Sequence, residues 1–326
     1  MLTRRSTDRM NERLVTNHTR QEPAQFQESI SPQQHVFVVL NPIAGNVNLE
    51  EVYRYLERFM TEQKWSYEFY ETTGHTDLGA VVQEKIKAGA TLVIAVGGDG
   101  TLSEVANGLV HSPVLLALIP LGTGNVIAHE LGIPLNLEEA CQLLIRDHKI
   151  RHLDVMQVGS RYFISHISMG VYSLIVEEIK PDQKRRFGRM IYLWEAIRKL
   201  MGKNSWRFEV QVDEQTLSVR ASLILVANAG SVGLYALQWG QHISPDDQYL
   251  TVCIIKGRSI IAYLNLLWNM ARNRHYLDEN MIYLNARQKI TIKTAQPLPV
   301  RADGDIIGRS QVEIQVVPAA VRILTR

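Results

Sequence analysis

The sequence predicts an α/β domain with a mostly parallel sheet followed by an antiparallel β-sandwich domain, and three observations carry that prediction. Between His35 and Pro120, continuous apolar runs alternate with helical patterns, as in βαβ units. After about Ile150 the pattern changes to two-residue alternation of apolar and polar positions. The chain has 326 residues, 46% of them hydrophobic, which is about the size at which a single core stops growing, so two domains are expected.

Residues 1–34 are polar, rich in Gln, Arg and Glu, and lack sustained periodicity, so a flexible extension is expected there. They contain no apolar segment of the signal-peptide kind, and the Asn17-His18-Thr19 sequon is read as chance. The run HVFVVL, bounded by Asn41-Pro42, fits a strand buried on both faces. A helix is expected over Leu49–Gln63, with Val52, Leu56 and Phe59 on one stripe. YEFYET, a helix over Leu78–Ala88, TLVIAV, a helix over Leu102–Leu109 and VLLALIP continue the alternation. Farther on, Phe208, Val210 and Val212 face one way, and Glu209, Gln211 and Asp213 the other. Asp213-Glu214-Gln215 reads as a turn into a strand LSVRASLILVA, and the alternation returns at Ile290 and Ile292 and at Val312, Ile314 and Val316. Helices near Phe187–Met201 and Ser259–Asn273 interrupt the β pattern.

The net charge of +2 offers no global field for nucleic acid. Cys141 and Cys253 lie far apart in apolar surroundings and read as buried free thiols, which suits a reducing, cytoplasmic compartment. The longest apolar run, IIAYLNLLWNMA from Ile260, is shorter than the roughly 20 residues needed to cross a bilayer.

The stretch VIAVGGDGTLSEVANGL, Val93–Leu109, runs from a strand through glycines into a helix. Ligands of open α/β sheets bind at the carboxyl ends of the strands. Gly97, Gly98 and Gly100 are expected to adopt positive φ and let the backbone approach a phosphate, with helix N–H groups pointing at it. Asp99 beside a phosphate makes sense if a divalent cation lies between them or if it orients a donor hydroxyl. It fits equally as a helix cap, with Thr101 sharing the role. A second strand–glycine–hydroxyl–helix turn, PLGTGN at Pro120–Asn125, favours nucleotide binding. The P-loop, nucleophile-elbow and GxGxxG patterns are absent, and His129-Glu130 lacks the second histidine of a zinc helix. His166, His242 and His275 stand alone and read as structural.

Together NPIAG, GGDGTLSEVANGL, PLGTGNVIAHELGIP and RADGD resemble the diacylglycerol kinase catalytic family, which includes bacterial lipid kinases and sphingosine kinases. The resemblance implies a nucleotide-binding α/β domain over 35–149 and a β-sandwich lipid domain over 150–311, with the tail 312–326 returning beside the first domain. It also implies ATP and Mg²⁺ at the cleft between them. By that resemblance Gly97, Gly98, Gly100 and Thr101 hold the phosphates, while Asn41, Thr73, Gly122, Thr123 and Asn125 flank the nucleotide. Asp303 takes the position of the general base, and Asp305 stands where the family usually has glutamate. The loop SPDDQYL resembles a structural Mg²⁺ loop whose ligands would be the Asp247 side chain and the carbonyls of Ser244 and Tyr249; an acidic surface turn explains it equally.

A membrane lipid substrate requires contact with the bilayer surface. Lys184, Arg185, Arg186, Arg189, Arg198, Lys199 and Lys203, interleaved with Phe187, Ile191, Tyr192 and Trp194, offer a basic amphipathic helix, each basic residue adding about 1 kcal/mol near an anionic leaflet. Packing on the sandwich explains the same pattern. The expected activity is transfer of the ATP γ-phosphoryl group to a hydroxyl of a diacylglycerol-like or sphingoid lipid, in the cytoplasm with transient membrane association. A kinase of a soluble substrate such as NAD and a catalytically silent lipid-binding protein are the alternatives. A homodimer is left open.

Overall fold

Strands β1 (His35–Leu40), β2 (Ser66–Glu71), β3 (Leu92–Gly97) and β4 (Leu115–Pro120) pair in parallel in the order β2-β1-β3-β4. Every residue of β3 is buried, because helices cover both faces. On one face α1 (Leu49–Glu62) sets Val52, Leu56, Phe59 and Met60 against Val36, Leu40 and Ile94. On the other, α2 (Leu78–Lys87) and α3 (Asp99–Asn107) pack Leu78, Val82, Leu102 and Val105 against Phe37, Val39 and Val93. Two short helices, α4 (Val126–Glu130) and α5 (Leu137–Leu143), follow β4. This computed structural model describes residues 33–326 apart from 46, 75, 147, 172, 174–204, 232–238, 240–242, 258–259, 273 and 275–277. The extension through residue 32, the basic helical region at 184–203, His242 and His275 lie outside the described residues.

The last strand, β16 (Val312–Thr325), carries the parallel sheet into the second half of the chain. Ile323 pairs in parallel with Leu116 of β4, while the same strand runs antiparallel to β5 (Lys149–Val158) and β13 (Lys289–Thr294). The sheet continues through β8 (Trp206–Val212) to β9 (Gln215–Ala221), and β6 (Arg161–Phe163) adds to β5. Among the described residues, ten strands therefore share one sheet across both halves of the protein. A second, six-stranded antiparallel sheet has the order β12 (Met281–Ala286), β11 (Leu250–Ile255), β10 (Leu223–Ala227), β7 (His166–Gly170), β14 (Pro299–Ala302), β15 (Asp305–Arg309). The two sheets enclose a core of Phe208, Val210, Ile290, Ile292, Ile224 and Val252. The fold is thus an α/β domain with a parallel sheet joined to an antiparallel sandwich.

One sequence expectation is corrected here. LSVRASLILVA reads as a single strand but breaks at Ser222, with β9 in the large sheet and β10 in the small one. Ser222 turns its amide and its hydroxyl onto the Ile255 carbonyl, at 2.8 and 3.0 Å, which redirects the chain onto β11. The alternation of Leu217, Val219 and Ala221 gives way there to the continuous apolar run LILVA, but both patterns read as strand, so the change of sheet is not announced. Helix α6 (Ile260–Ala271) covers the outer face of the small sheet. Cys141 and Cys253 are buried and unpaired. No described helix is long and apolar enough to cross a membrane.

Asn228, fully buried just after β10, ties the strands next to the interdomain cleft together. Its Nδ2 donates to the Asp154 carbonyl at 2.8 Å and to the Ile164 carbonyl at 2.7 Å, and its amide donates to Ser165 O at 3.0 Å. Asn228→Ala would leave two buried carbonyls short of a donor, so it should lower unfolding stability by about 2–4 kcal/mol in chemical denaturation. A loss below about 0.5 kcal/mol would show that these bonds do not hold the cleft.

Candidate active site

The strand order β2-β1-β3-β4 means that the chain leaves β1 in opposite directions, which opens a crevice between the carboxyl ends of β1 and β3. Asn41, following β1, spans it: its Nδ2 donates to the Thr101 hydroxyl at 2.9 Å. Thr101 is buried, and Thr73 and Thr123 are exposed on the loops after β2 and β4. The Thr73 and Thr76 hydroxyl oxygens lie 3.1 Å apart.

The glycines serve a different purpose from the one their pattern suggests. None of Gly97, Gly98 and Gly100 has positive φ; Gly98 is extended at φ −101° and caps α3, which starts at Asp99, three residues before the expected Leu102. Gly97 and Gly98 serve close approach instead, to Thr101 and to Gly122, whereas Gly100 faces open space. A Cβ on Gly122 would lie 2.6 Å from the Gly98 Cα and 2.7 Å from Asn125 Oδ1, so the two turns can touch only as glycines. The left-handed residue is Asn125, at φ +44°, whose Nδ2 donates to the Gly122 carbonyl at 2.7 Å. Its Oδ1 is buried and unpartnered, an acceptor aimed at the glycine turns.

Asp99 caps a helix, but not its own. Its Oδ1 accepts from the Ile127 amide at 3.2 Å, at the start of α4. Burial raises its pKa above the ordinary carboxylate range, the Val126 and Ile127 amides oppose the rise, and nearby Asp303 adds to it.

Asp303, at φ +45° in the β14–β15 turn, is held by five hydrogen bonds from both halves of the protein. Oδ2 accepts from the Ser103 hydroxyl of α3 at 2.6 Å and the Ile164 amide at 2.7 Å; Oδ1 accepts from the Ser165 amide, the Ser165 hydroxyl and the His166 amide at 2.9, 2.6 and 3.0 Å. Because Ser165 gives its only hydroxyl proton to Asp303, the 3.2 Å contact between its oxygen and His166 Nδ1 makes Nδ1 the donor. Nε2 then carries the lone pair. Burial holds the His166 pKa below the usual histidine range, against the pull of Asp303 and Asp99, so the ring is neutral near pH 7.

His166, read as an isolated structural histidine, thus stands beside both aspartates. Ser103, Ser165 and His166 were missed by sequence reasoning. Only Ser103 carried a signal: it lies one helical turn after Asp99, on the same face of α3. A small open cleft is lined by Gly100, Ser103, Glu104, Arg161, Asp303 and Asp305. Burial, and then Asp305, raise the Glu104 pKa, and Arg161 opposes them.

The SPDDQYL loop lies elsewhere, against β5. Arg151 holds Asp246 with two of its three guanidinium nitrogens, through Nε at 2.6 Å and through Nη2, and Nη2 also reaches the Ser244 hydroxyl at 3.2 Å. Asp247 accepts from the amides of Tyr249 and Ser244 at 3.0 and 3.3 Å. Gln248, at φ +66° where glycine would be unstrained, donates its amide to Asp154 at 2.6 Å. Burial and the neighbouring Asp154 and Asp246 push the Asp247 pKa up to about 8, and burial pushes Asp154 up to about 6. One guanidinium faces three carboxyl groups, which would carry an excess of negative charge suited to a cation once all three ionise. Among the described residues, however, no three His, Cys, Asp or Glu side chains converge on one point, so such an ion would need carbonyl ligands.

Glycine turns at a sheet-edge crevice, closed by a sandwich that presents a clamped carboxylate, define a class of two-domain α/β proteins. A model of the diacylglycerol kinase catalytic domain matches residues 35–158, and one of the YegS C-terminal NAD kinase beta sandwich-like domain matches residues 165–325. The chain belongs to the diacylglycerol kinase catalytic-domain family. A Synechocystis sp. protein, "Uncharacterized protein sll0036", is 27% identical over 300 residues, covering 88% of this chain and 69% of its own. The Staphylococcus haemolyticus protein named "Putative lipid kinase SH2167" is 27% identical over 251 residues, 75% of this chain and 80% of its own. A crystal structure titled as a diacylglycerol kinase from Bacillus anthracis str. Sterne shares the fold, with a TM-score of 0.75 over 90% of this chain and 97% of that one, at 22% identity.

The acidic loop gives a pH prediction. In the folded protein Asp154 and Asp247 keep protons up to about pH 6 and about pH 8, whereas in the unfolded chain they ionise near the ordinary 3.8. The folded state therefore binds more protons over that window, and stability is lost as pH rises through it. With a chelator present, the melting midpoint should fall from about pH 4 to about pH 8 and level off above that, and Asp247→Asn should flatten the part above about pH 6. An equally steep fall in the variant would place the titrating group elsewhere.

Proposed function

We propose that this chain is an ATP-dependent lipid kinase acting on a hydroxyl of a diacylglycerol-like or sphingoid lipid. The observation that carries the reading is the Asp303 carboxylate, presented by the sandwich and hydrogen-bonded to Ser103 of the helix that begins at the glycine turn. Family membership and the name of the Staphylococcus haemolyticus relative support the kinase and lipid parts respectively.

The residues at the crevice fit a nucleotide. The vacant surface of Gly100, with nothing within 4 Å of where a Cβ would stand, leaves room for a phosphate at the start of α3. ATP bound there supplies the transferable phosphoryl group, and Mg²⁺ the countercharge. Asp303 orients the lipid hydroxyl and accepts its proton, which leaves a stronger nucleophile. Asp99, on the glycine turn, faces the same space and keeps α4 in place. His166, neutral and with Nε2 free to accept, offers a second polar contact beside Asp303. Asp247, with the Ser244 and Tyr249 carbonyls, would hold a structural cation away from the crevice.

The space beside Gly100 gives a test of the nucleotide site. Gly100→Ala has an unstrained backbone and no protein atom to clash with, so the melting midpoint should hold while ATP affinity falls at least about tenfold in calorimetric titration. Unchanged affinity would remove the α3 N-terminus from the nucleotide site.

The activity is tested by incubating the purified protein with γ-labelled ATP, Mg²⁺ and a mixed lipid extract and identifying the labelled product. Asp303→Asn should lose about 10²- to 10⁴-fold of that transfer per folded molecule, with ATP binding kept. It should also lose about 1–3 kcal/mol of stability, because an amide nitrogen would face backbone N–H donors. Wild-type protein that binds ATP but labels no lipid defeats the kinase reading. Full turnover by the folded variant defeats the role of Asp303.

A further inference from the structure

Helix α6 is apolar on two opposite faces, and the small sheet uses only one. Tyr263, Leu266 and Met270 pack onto Leu225, Cys253, Ile255 and Met281. On the other side Ile261, Leu264 and Trp268 repeat the same i, i+3, i+7 spacing and are 70%, 59% and 58% exposed. Three large apolar side chains in a row on one helix face form an exposed apolar stripe of the kind that marks an interaction surface.

Charge identifies the partner. From Lys256 to Arg274 the chain carries Lys256, Arg258, Arg272 and Arg274 and not one Asp or Glu. In sequence these basic residues stand on both sides of the apolar stripe. The Arg272 guanidinium lies 4.2 Å from the Trp268 ring centroid, so the apolar edge and a cation sit side by side. An apolar stripe bordered by cations matches the boundary of an anionic bilayer, where the side chains enter the acyl layer and the cations meet phosphates. The helix has 12 residues, about 18 Å, too short to span and suited to lying in the surface plane.

We infer that the outer face of α6, formed by Ile261, Leu264 and Trp268 with Arg272 and Arg274, is the surface by which this protein docks on anionic membranes. The inference adds a docking surface to the lipid-kinase reading and rests on it for the reason the protein visits a bilayer. The small sheet that carries α6 also carries Asp303 at its β14–β15 turn and His166 at the start of β7, so docking α6 fixes the height of the candidate site above the lipid surface.

The test uses the full chain and vesicles of phosphatidylcholine with or without about 30 mol% phosphatidylglycerol, read by co-sedimentation with no nucleotide present. Wild-type protein should bind the anionic vesicles, and added salt should weaken binding. Ile261→Ser/Leu264→Ser/Trp268→Ser should bind about a hundredfold more weakly, and Arg272→Gln/Arg274→Gln several-fold more weakly on the anionic vesicles alone. ATP affinity should stay unchanged in both. A dye that brightens in apolar surroundings, attached to Leu264→Cys, should respond only when vesicles are added; the native Cys141 and Cys253 are buried. Undiminished vesicle binding by the triple variant overturns the inference. So does a dye that is already bright without lipid, which would mean that another segment of the chain covers the face. A triple substitution that turns a dimer into a monomer in light scattering but leaves vesicle binding intact also overturns it. Because no turnover is measured, vesicle binding without lipid phosphorylation would keep the docking surface and remove only the kinase reading.

Discussion

Five donors meet at the Asp303 carboxylate, and the geometry between the two halves of the protein depends on them. Three are backbone amides, of Ile164 and Ser165 in the β6–β7 connection and of His166 at the start of β7, one is the hydroxyl of Ser165, and one is the Ser103 hydroxyl from α3 of the α/β domain. A carboxylate accepts about four hydrogen bonds comfortably, so this one is saturated and its orientation is fixed from both sides. The positive φ of Asp303 belongs to the same arrangement: a non-glycine residue is held in a sparsely populated conformation by the bonds its own side chain makes.

The crevice on the other side of that contact is built by exclusion of side chains. Gly98 and Gly122 bring the turns after β3 and β4 so close that a single methyl would part them. Asp99 then reaches from one turn to the amides that start α4 beyond the other, so its charge does for α4 what a side-chain cap would ordinarily do. The helix dipole and the carboxylate are thereby joined in one structure, and burial of Asp99 follows from the closeness of the glycines. The residue that looks most like a ligand for a cation is also the residue that holds the second glycine turn in place.

Much of the fold was legible because it depends on periodicity. β1, β3 and β4 are continuous apolar runs, β8 and β13 alternate cleanly, and each pattern states how many of its faces are buried. What could not be read was set by contacts between distant segments. At Ser222 an alternating strand passes into a continuous apolar one, and nothing in either pattern says that the two belong to different sheets. Saturation of Asp303 is made by residues about 140 and 200 positions away, in a segment, Ile164-Ser165-His166, with no motif of its own. The glycines were legible as a site and misread as to cause, since close approach and positive φ leave the same letter in the sequence.

The saturation of Asp303 also constrains how a proton can reach it. The three amide donors are fixed by the backbone and cannot turn away, whereas the hydroxyls of Ser103 and Ser165 rotate about their Cβ–Oγ bonds. A substrate hydroxyl that is to give its proton to Asp303 must therefore take the place of one of the two serine hydroxyls. Replacing Ser103 opens Oδ2 from the side of α3 and the cleft lined by Gly100 and Glu104. Replacing Ser165 opens Oδ1 beside His166, whose Nδ1 donates to that same hydroxyl oxygen and would hold it. The route through Ser103 breaks one hydrogen bond and the route through Ser165 disturbs two, so approach past α3, the helix that begins at the glycine turn, is the less costly of the two.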